Sequence, residues 1–148
     1  MRGLFANPNI YPEEEHDKRW DVYKGWAAAV DLQVSRVVVP RREWLDAIGN
    51  DTEKPGRCGS CYRFRMKQAA FFAKEAGCDA FTTSLLISPY QDREAVIRAM
   101  EEASETTGVP FLCPDFRPGY RRSRQMARGA HLYMQKYCGC EFSLKEGS

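Results

Sequence analysis

Arg36-Val37-Val38-Val39-Pro40 is a β-branched run too short for a helix and closed by a proline, the pattern of a buried parallel strand. Upstream of it, residues 13 to about 34 carry Trp20, Tyr23, Ala27 and Val30 on one helical stripe, with acidic residues in the first turn where they suit the helix dipole. Gly25 weakens that helix slightly. Earlier still, Gly3-Leu4-Phe5-Ala6 reads as a short buried strand running into Asn7-Pro8-Asn9-Ile10-Tyr11-Pro12. Two prolines and two asparagines there force a turn and a rigid loop.

Downstream the alternation continues. A short helix is expected from Arg42 to Ile48, ended by Gly49-Asn50-Asp51, and a polar loop from Asp51 to Arg57 leads to a helix from about Ser60 to Ala76. Its core spacing is Tyr62, Met66, Ala69, Ala73 and Ala76. Ala80 to Ile87 reads as a strand ending in Ser88-Pro89-Tyr90, and Asp92 can cap a helix whose apolar face is Ala95, Val96, Ala99, Met100 and Ala103. Val109 to Cys113 is a further short strand, followed by the loop Pro114 to Tyr120 and a last helix from about Ser123 to Tyr137, with Met126, Ala130, Tyr133 and Tyr137 as its face. Strands separated by helices predict an α/β fold, a parallel sheet with helices on both faces. Ligands gather at the C-terminal ends of such strands. The loops Asn7 to Pro12, Ser84 to Asp92 and Cys113 to Tyr120 would then rim one pocket.

Composition sets the outer limits. With 148 residues, 43% of them hydrophobic and 28% charged, residues 1–148 are expected to form one globular domain. A formal charge of +2, from 22 basic and 20 acidic residues, does not by itself indicate a nucleic-acid partner. No run of about 18 apolar residues and no signal-peptide pattern is present, so a soluble, cytoplasmic protein with no membrane partner is expected. There are no internal repeats. Cysteines in that compartment are reduced by default, which favours metal or redox roles over structural disulfides.

Four of the six cysteines fall in two tight pairs, Cys58-Gly59-Ser60-Cys61 and Cys138-Gly139-Cys140. Two intervening residues let the C-x-x-C sulfurs approach one metal or one another, and a helix N-terminus beside them lowers thiol pKa values. The C-x-C thiols can bind adjacent metals or close a strained, easily reduced disulfide. Cys78 and Cys113 read as small buried apolar residues. Arg117, Arg121, Arg122, Arg124 and Arg128 place five guanidinium groups within twelve residues, with Phe116 and Tyr120 interleaved. That pattern fits RNA phosphates and stacked bases, or a solvated helix face. His16 and His131 are isolated and read as surface or helix-end residues.

These blocks carry a resemblance. Asn-Pro-Asn-Ile-Tyr-Pro at 7–12, Arg-Cys-Gly-Ser-Cys-Tyr-Arg-Phe-Arg at 57–65, Thr-Thr-Ser-Leu-Leu-Ile-Ser-Pro-Tyr-Gln at 82–91, Asp-Phe-Arg-Pro-Gly at 115–119 and Tyr-Cys-Gly-Cys at 137–140 together resemble the epoxyqueuosine reductases of the QueH type. The resemblance covers almost the whole chain in order. It implies a Rossmann-like three-layer fold and two-electron reduction of epoxyqueuosine to queuosine at the wobble position of tRNA. An external electron donor is implied too. Cys58 and Cys61 would ligate a 4Fe-4S cluster, with a second iron as a further candidate. Cys138 and Cys140 would be a redox-active dithiol or further metal ligands, joined by Asp115 as catalytic candidates. Asn7, Asn9, Tyr11, Ser88, Tyr90 and Arg117 would contact the substrate, and Arg121, Arg122 and Arg124 are expected to hold tRNA phosphates.

One departure bears on that reading. The family begins with a strand ending in an adjacent Cys-Cys pair and then a helix, and no adjacent Cys-Cys pair occurs in this sequence. The resemblance thus implies an N-terminally shortened sheet lacking two cluster ligands. Its exposed edge would favour a homo-oligomer. A second reading is a non-catalytic tRNA-binding or zinc module, in which Cys58, Cys61, Cys138 and Cys140 form a four-thiolate site. A third, a thiol-disulfide oxidoreductase using Cys58 and Cys61 alone, leaves the second pair unexplained.

Overall fold

The computed structural model describes residues 1–147 as mixed α/β, in two compact units. One comprises Met1–Asp46 and the chain from Ala127 onward; the other is Ala47–Met126.

In the first unit β1 (Arg2–Phe5) pairs in parallel with β2 (Gln33–Arg36), Arg2 opposite Gln33 and Phe5 opposite Arg36. Parallel strands need a crossover, here α1 (Glu13–Ala29), whose first turn carries Glu13, Glu14 and Glu15. Phe5 meets the rings of His16, Trp20 and Tyr23 at 5.2, 5.6 and 6.0 Å. The helix lies so close to the sheet that a Cβ on Gly3 would stand 2.0 Å from the Tyr23 hydroxyl. Any side chain at position 3 would have to displace the Tyr23 ring.

Two expectations are corrected in this unit. The helix expected to reach Val34 stops at Ala29, because Asp31 takes a left-handed φ of 55° and lets Leu32 N–H reach Ala27 O at 2.8 Å, a Schellman ending. The strand expected over 36–40 is displaced upstream to Gln33–Arg36. Val37 N–H still donates to Phe5 O, but β1 ends there, so Val38 finds no ladder and is 74% exposed. Further along, α2 (Arg41–Ile48) buries Trp44 against Phe142 of α6 (Glu141–Lys145), and Arg41 pairs with Glu141 at 2.5 Å.

The second unit is built on α3 (Gly56–Glu75) and α4 (Arg93–Thr107). Tyr62, Met66, Ala70 and Ala73 from α3 share a buried cluster with Val96, Ala99, Met100 and Ala103 from α4, joined by Phe81, Leu86 and Val109. The alanines let the two helices approach closely, and Asp92 caps α4 by accepting from Ala95 N–H at 3.0 Å. Here α3 starts four residues earlier than expected, because Arg57 N–H already donates to Glu53 O and Gly59 N–H to Pro55 O. Both Cys58 and Cys61 therefore lie inside the helix.

The strands expected at 80–87 and 109–113 reduce to one parallel bridge, Phe81 with Phe111. Pro110 has no N–H for a ladder. Thr83 then caps a 3₁₀ turn at Ser84–Ile87, accepting from Leu85 N–H at 3.2 Å. Among the described residues the first unit thus holds a sheet of two short parallel strands, and the second holds this isolated bridge. A second 3₁₀ turn, Arg117–Gly119, leads into α5 (Tyr120–Gly129). That helix was expected to run to Tyr137; His131, at φ 53°, ends it in a second Schellman geometry, with Leu132 N–H on Ala127 O at 2.9 Å. Met126 and Ala130, expected to face the core, are exposed.

Candidate active site

In the first unit the C-x-C pair is a reduced dithiol, with Cys138 Sγ 3.7 Å from Cys140 Sγ. Cys138 is exposed and Cys140 buried. Ser143 holds both sulfurs: its hydroxyl lies 3.0 Å from Cys138 Sγ, and its backbone N–H donates to Cys140 Sγ at 3.4 Å. Sharing a proton with Cys138 and then burial push the Cys140 thiol well above its usual range, against the pull of the Ser143 N–H. Cys140 thus stays protonated at neutral pH. Two thiols this close can form a disulfide on two-electron oxidation, releasing two protons.

The dithiol loop is clamped from α1. Arg19 donates to Cys138 O at 3.2 Å, Tyr137 O at 3.1 Å and Gln135 Oε1 at 2.9 Å, while its Nε pairs with Glu15 at 2.8 Å. Tyr133 donates its hydroxyl to the same carboxylate at 2.9 Å. Gly139 adopts φ 123°, and a Cβ there would meet Ile10 at 2.8 Å and both Arg19 Nη1 and Asn9 Nδ2 at 3.2 Å. The turn therefore needs glycine.

The loop at residues 7–12 closes on the same place. Tyr11 N–H donates to Gly139 O at 2.8 Å, and the Tyr137 hydroxyl donates to Tyr11 O. Asn7 O closes a turn by accepting from Ile10 N–H at 3.2 Å. Asn9 is 2% exposed, and its Oδ1 finds no donor among the described residues. That buried acceptor, on a residue packed against Gly139, can take an N–H or O–H from water or from a ligand. Of the residues expected in the site, Asn7, Asn9 and Tyr11 are thus gathered around Cys138 and Cys140.

The second unit holds the other candidates. Cys58 and Cys61 are half-buried in the first two turns of α3. Neighbouring Tyr62 donates its hydroxyl to Gln91 Oε1 at 2.6 Å, tying that helix end to the Ser88–Asp92 loop; burial first, then the nearby Cys58, pushes its phenol up to about 12. Gly59 and Ser60 border a cleft of about 310 Å³ shared with Asp92 and Ala95 of the α4 start. Among the described residues, no three His, Cys, Asp or Glu side chains are placed to share a metal ion. Each unit offers a two-sulfur donor set, chemically suited to iron or zinc and short of a closed site.

Asp115 and Arg117 bind each other bidentately, with two contacts of 2.7 Å. Arg117, through its side chain and then its backbone N–H, lowers Asp115 to about 2. At neutral pH Asp115 is an ionised anchor for Arg117 and carries no proton to give. Ser88 Oγ accepts from Tyr90 N–H at 3.2 Å. Cys113, expected to be buried, is exposed, and its carbonyl accepts from Arg93 at 3.2 Å, whereas Cys78 packs against the core as expected. His16 is no simple surface residue: its Nδ1 lies 2.6 Å from Arg36 Nη2.

Comparison with known proteins decides the family. The profile described as epoxyqueuosine reductase QueH matches residues 1–146. The chain belongs to the QueH family. Relatives named epoxyqueuosine reductase QueH include that of Dehalococcoides mccartyi, 33% identical over 93% of this chain and 75% of the relative. The Thermotoga maritima protein is 31% identical over 97% of this chain and 79% of its own length. In the Streptococcus pyogenes protein, 30% identical over 95% of this chain, the match spans 60% of the relative. In this QueH chain Arg19, Glu15 and Ser143 join the site without a sequence motif to mark them. The Glu15–Arg19 spacing of four was visible as a helical pair, but nothing in it signalled burial.

Proposed function

We propose that this chain reduces epoxyqueuosine in tRNA to queuosine, within a single Rossmann-like domain in the cytoplasm. The observation that carries the reading is the family match across residues 1–146 together with a reduced, clamped dithiol at Cys138 and Cys140. Removing the epoxide oxygen as water while leaving a double bond takes two electrons and two protons. Oxidation of the Cys138–Cys140 pair to a disulfide releases that number of each, and an external reductant then restores the thiols. Cys138 is the accessible sulfur, Cys140 the protonated one, and Ser143 sits within reach of both to hold or pass a proton. Asn9 Oδ1 and the residues 7–12 loop orient the substrate beside them.

Cys58 and Cys61 are proposed as two thiolate ligands of a 4Fe-4S cluster, which when bound supplies single electrons. Two thiolates are half of a four-cysteine set, and among the described residues neither unit gathers a third His, Cys, Asp or Glu beside its pair. No helix is long and apolar enough to cross a membrane, among the described residues.

The test is queuosine formation in tRNA digests, followed by mass spectrometry, alongside iron and acid-labile sulfide content of anaerobically purified protein. Cys138→Ser and Cys140→Ser should each abolish turnover while leaving iron content unchanged, and Cys58→Ser should lose iron and sulfide. Full turnover in Cys140→Ser would exclude the dithiol. A colourless protein holding zinc would instead favour the non-catalytic reading, since a filled d shell gives no visible absorption.

A further inference from the structure

We propose that Tyr90 and Tyr120 form a shelf on which one unpaired RNA base stacks, with Arg121 and Arg122 taking the flanking phosphates. This rests on the tRNA reading above and goes beyond it by naming where a loop base is read. Tyr90 is 82% exposed, an unusual position for so large a ring. Its ring meets Tyr120 edge to face at 6.0 Å and 79°, and the Arg124 guanidinium lies over the Tyr120 ring at 5.7 Å. Two aromatic planes and a cation in contact are the elements that bind bases without regard to sequence.

The shelf is held in place before any ligand arrives. Ser88 Oγ accepts from the Tyr90 N–H, Gln91 receives the buried Tyr62 hydroxyl, and Asp92 caps α4, so the backbone on either side of Tyr90 is fixed. Tyr120 opens α5, and its carbonyl accepts from Ser123 Oγ at 2.8 Å. Preorganised surfaces lose less freedom on binding.

Charge selects RNA over an apolar peptide as the occupant. From Tyr120 to Gly129 there is no acidic residue, and among the described residues no carboxylate pairs with Arg121, Arg122 or Arg124. Arg117 is different, being neutralised by Asp115. Arg121 and Arg122 directly follow Tyr120, whose ring touches the exposed ring of Tyr90, the pairing that a phosphate and its base require.

The experiment uses the full chain and two probes of equal phosphate number: an RNA hairpin with 2-aminopurine in its unpaired loop, and a fully paired duplex. Wild type should bind the hairpin more tightly and quench its fluorescence. Tyr90→Ala should weaken hairpin binding by about 5- to 150-fold and remove the quench without changing the salt slope, while Tyr90→Phe keeps both. Arg121→Ala with Arg122→Ala should lower the slope of log affinity against log salt by about 1 to 2, for either probe. Tyr90→Ala binding and quenching like wild type would overturn the shelf; the tRNA reading would survive if the arginine variant still lost slope. Binding to neither probe would overturn both.

Discussion

All three nitrogens of the Arg19 guanidinium are in use, two of them on the carbonyls of Tyr137 and Cys138 and one on Glu15. Its side chain is 8% exposed and that of Glu15 13%, so neither charge is well solvated if the other is removed. Arg19→Ala should destabilise the fold by about 3 kcal/mol, within the range for breaking a buried pair, as a fall in the urea midpoint. Arg19→Lys should recover less than half, because an ammonium keeps the charge but cannot span two carbonyls and a carboxylate in one plane. A loss below about 0.5 kcal/mol in Arg19→Ala, the range of ordinary surface changes, would show that the clamp contributes nothing. The same contacts make Gly139 and Arg19 mutually dependent: the guanidinium occupies the space a side chain at 139 would need.

At the scale of elements, the ends of helices decide where site residues fall. Asp92 terminates a loop and starts α4 through one side-chain bond to Ala95 N–H. Asp92→Ala should cost about 1 kcal/mol by chemical denaturation, and Asp92→Asn only a few tenths, since either oxygen can accept. Asp92 was legible in the sequence as a cap, and so was the end of α3, where Gly77 takes φ 65°. The two helices that were read too long, α1 and α5, are closed by Asp31 and His131 in the same left-handed conformation. Residues with a Cβ seldom adopt it, so no glycine announced these stops. The consequence for the site was large: ending α5 at Gly129 frees residues 130–139 to make the irregular loop that presents the dithiol. Both cysteine pairs, by contrast, could be read directly from spacing. The strands were the least legible, because pairing depends on what lies alongside, and the valines at 37–39 look like a strand whether or not β1 extends far enough to pair with them.

Over the whole molecule, stability should depend on pH through His16. Burial first, then the neighbouring Arg36, lower its pKa, against the opposing pull of Asp17. Arg36 donates to Nδ1, which fixes the neutral ring as an acceptor. An unfolded imidazole titrates near about 6.5, so just below that pH the unfolded chain binds more protons than the folded one. Stability from this residue is complete above about pH 6.5 and declines as pH falls toward the lower folded value. Urea midpoints should drop as pH falls below about 6.5 in the wild type and drop less in His16→Gln. Asp17 and Asp115, both shifted down, lose their contributions only in the more acidic range below about 4.

Net charge describes this protein poorly. Its formal value is +2, yet α5 alone carries Arg121, Arg122, Arg124 and Arg128 with no carboxylate among its residues. A sulfonated chromatography resin responds to such a local patch rather than to the average over the chain. The protein should be retained on cation exchange well beyond a globular protein of equal net charge. Co-purifying polyanions will follow it for the same reason, and a high-salt wash early in preparation removes them before any spectrum is taken.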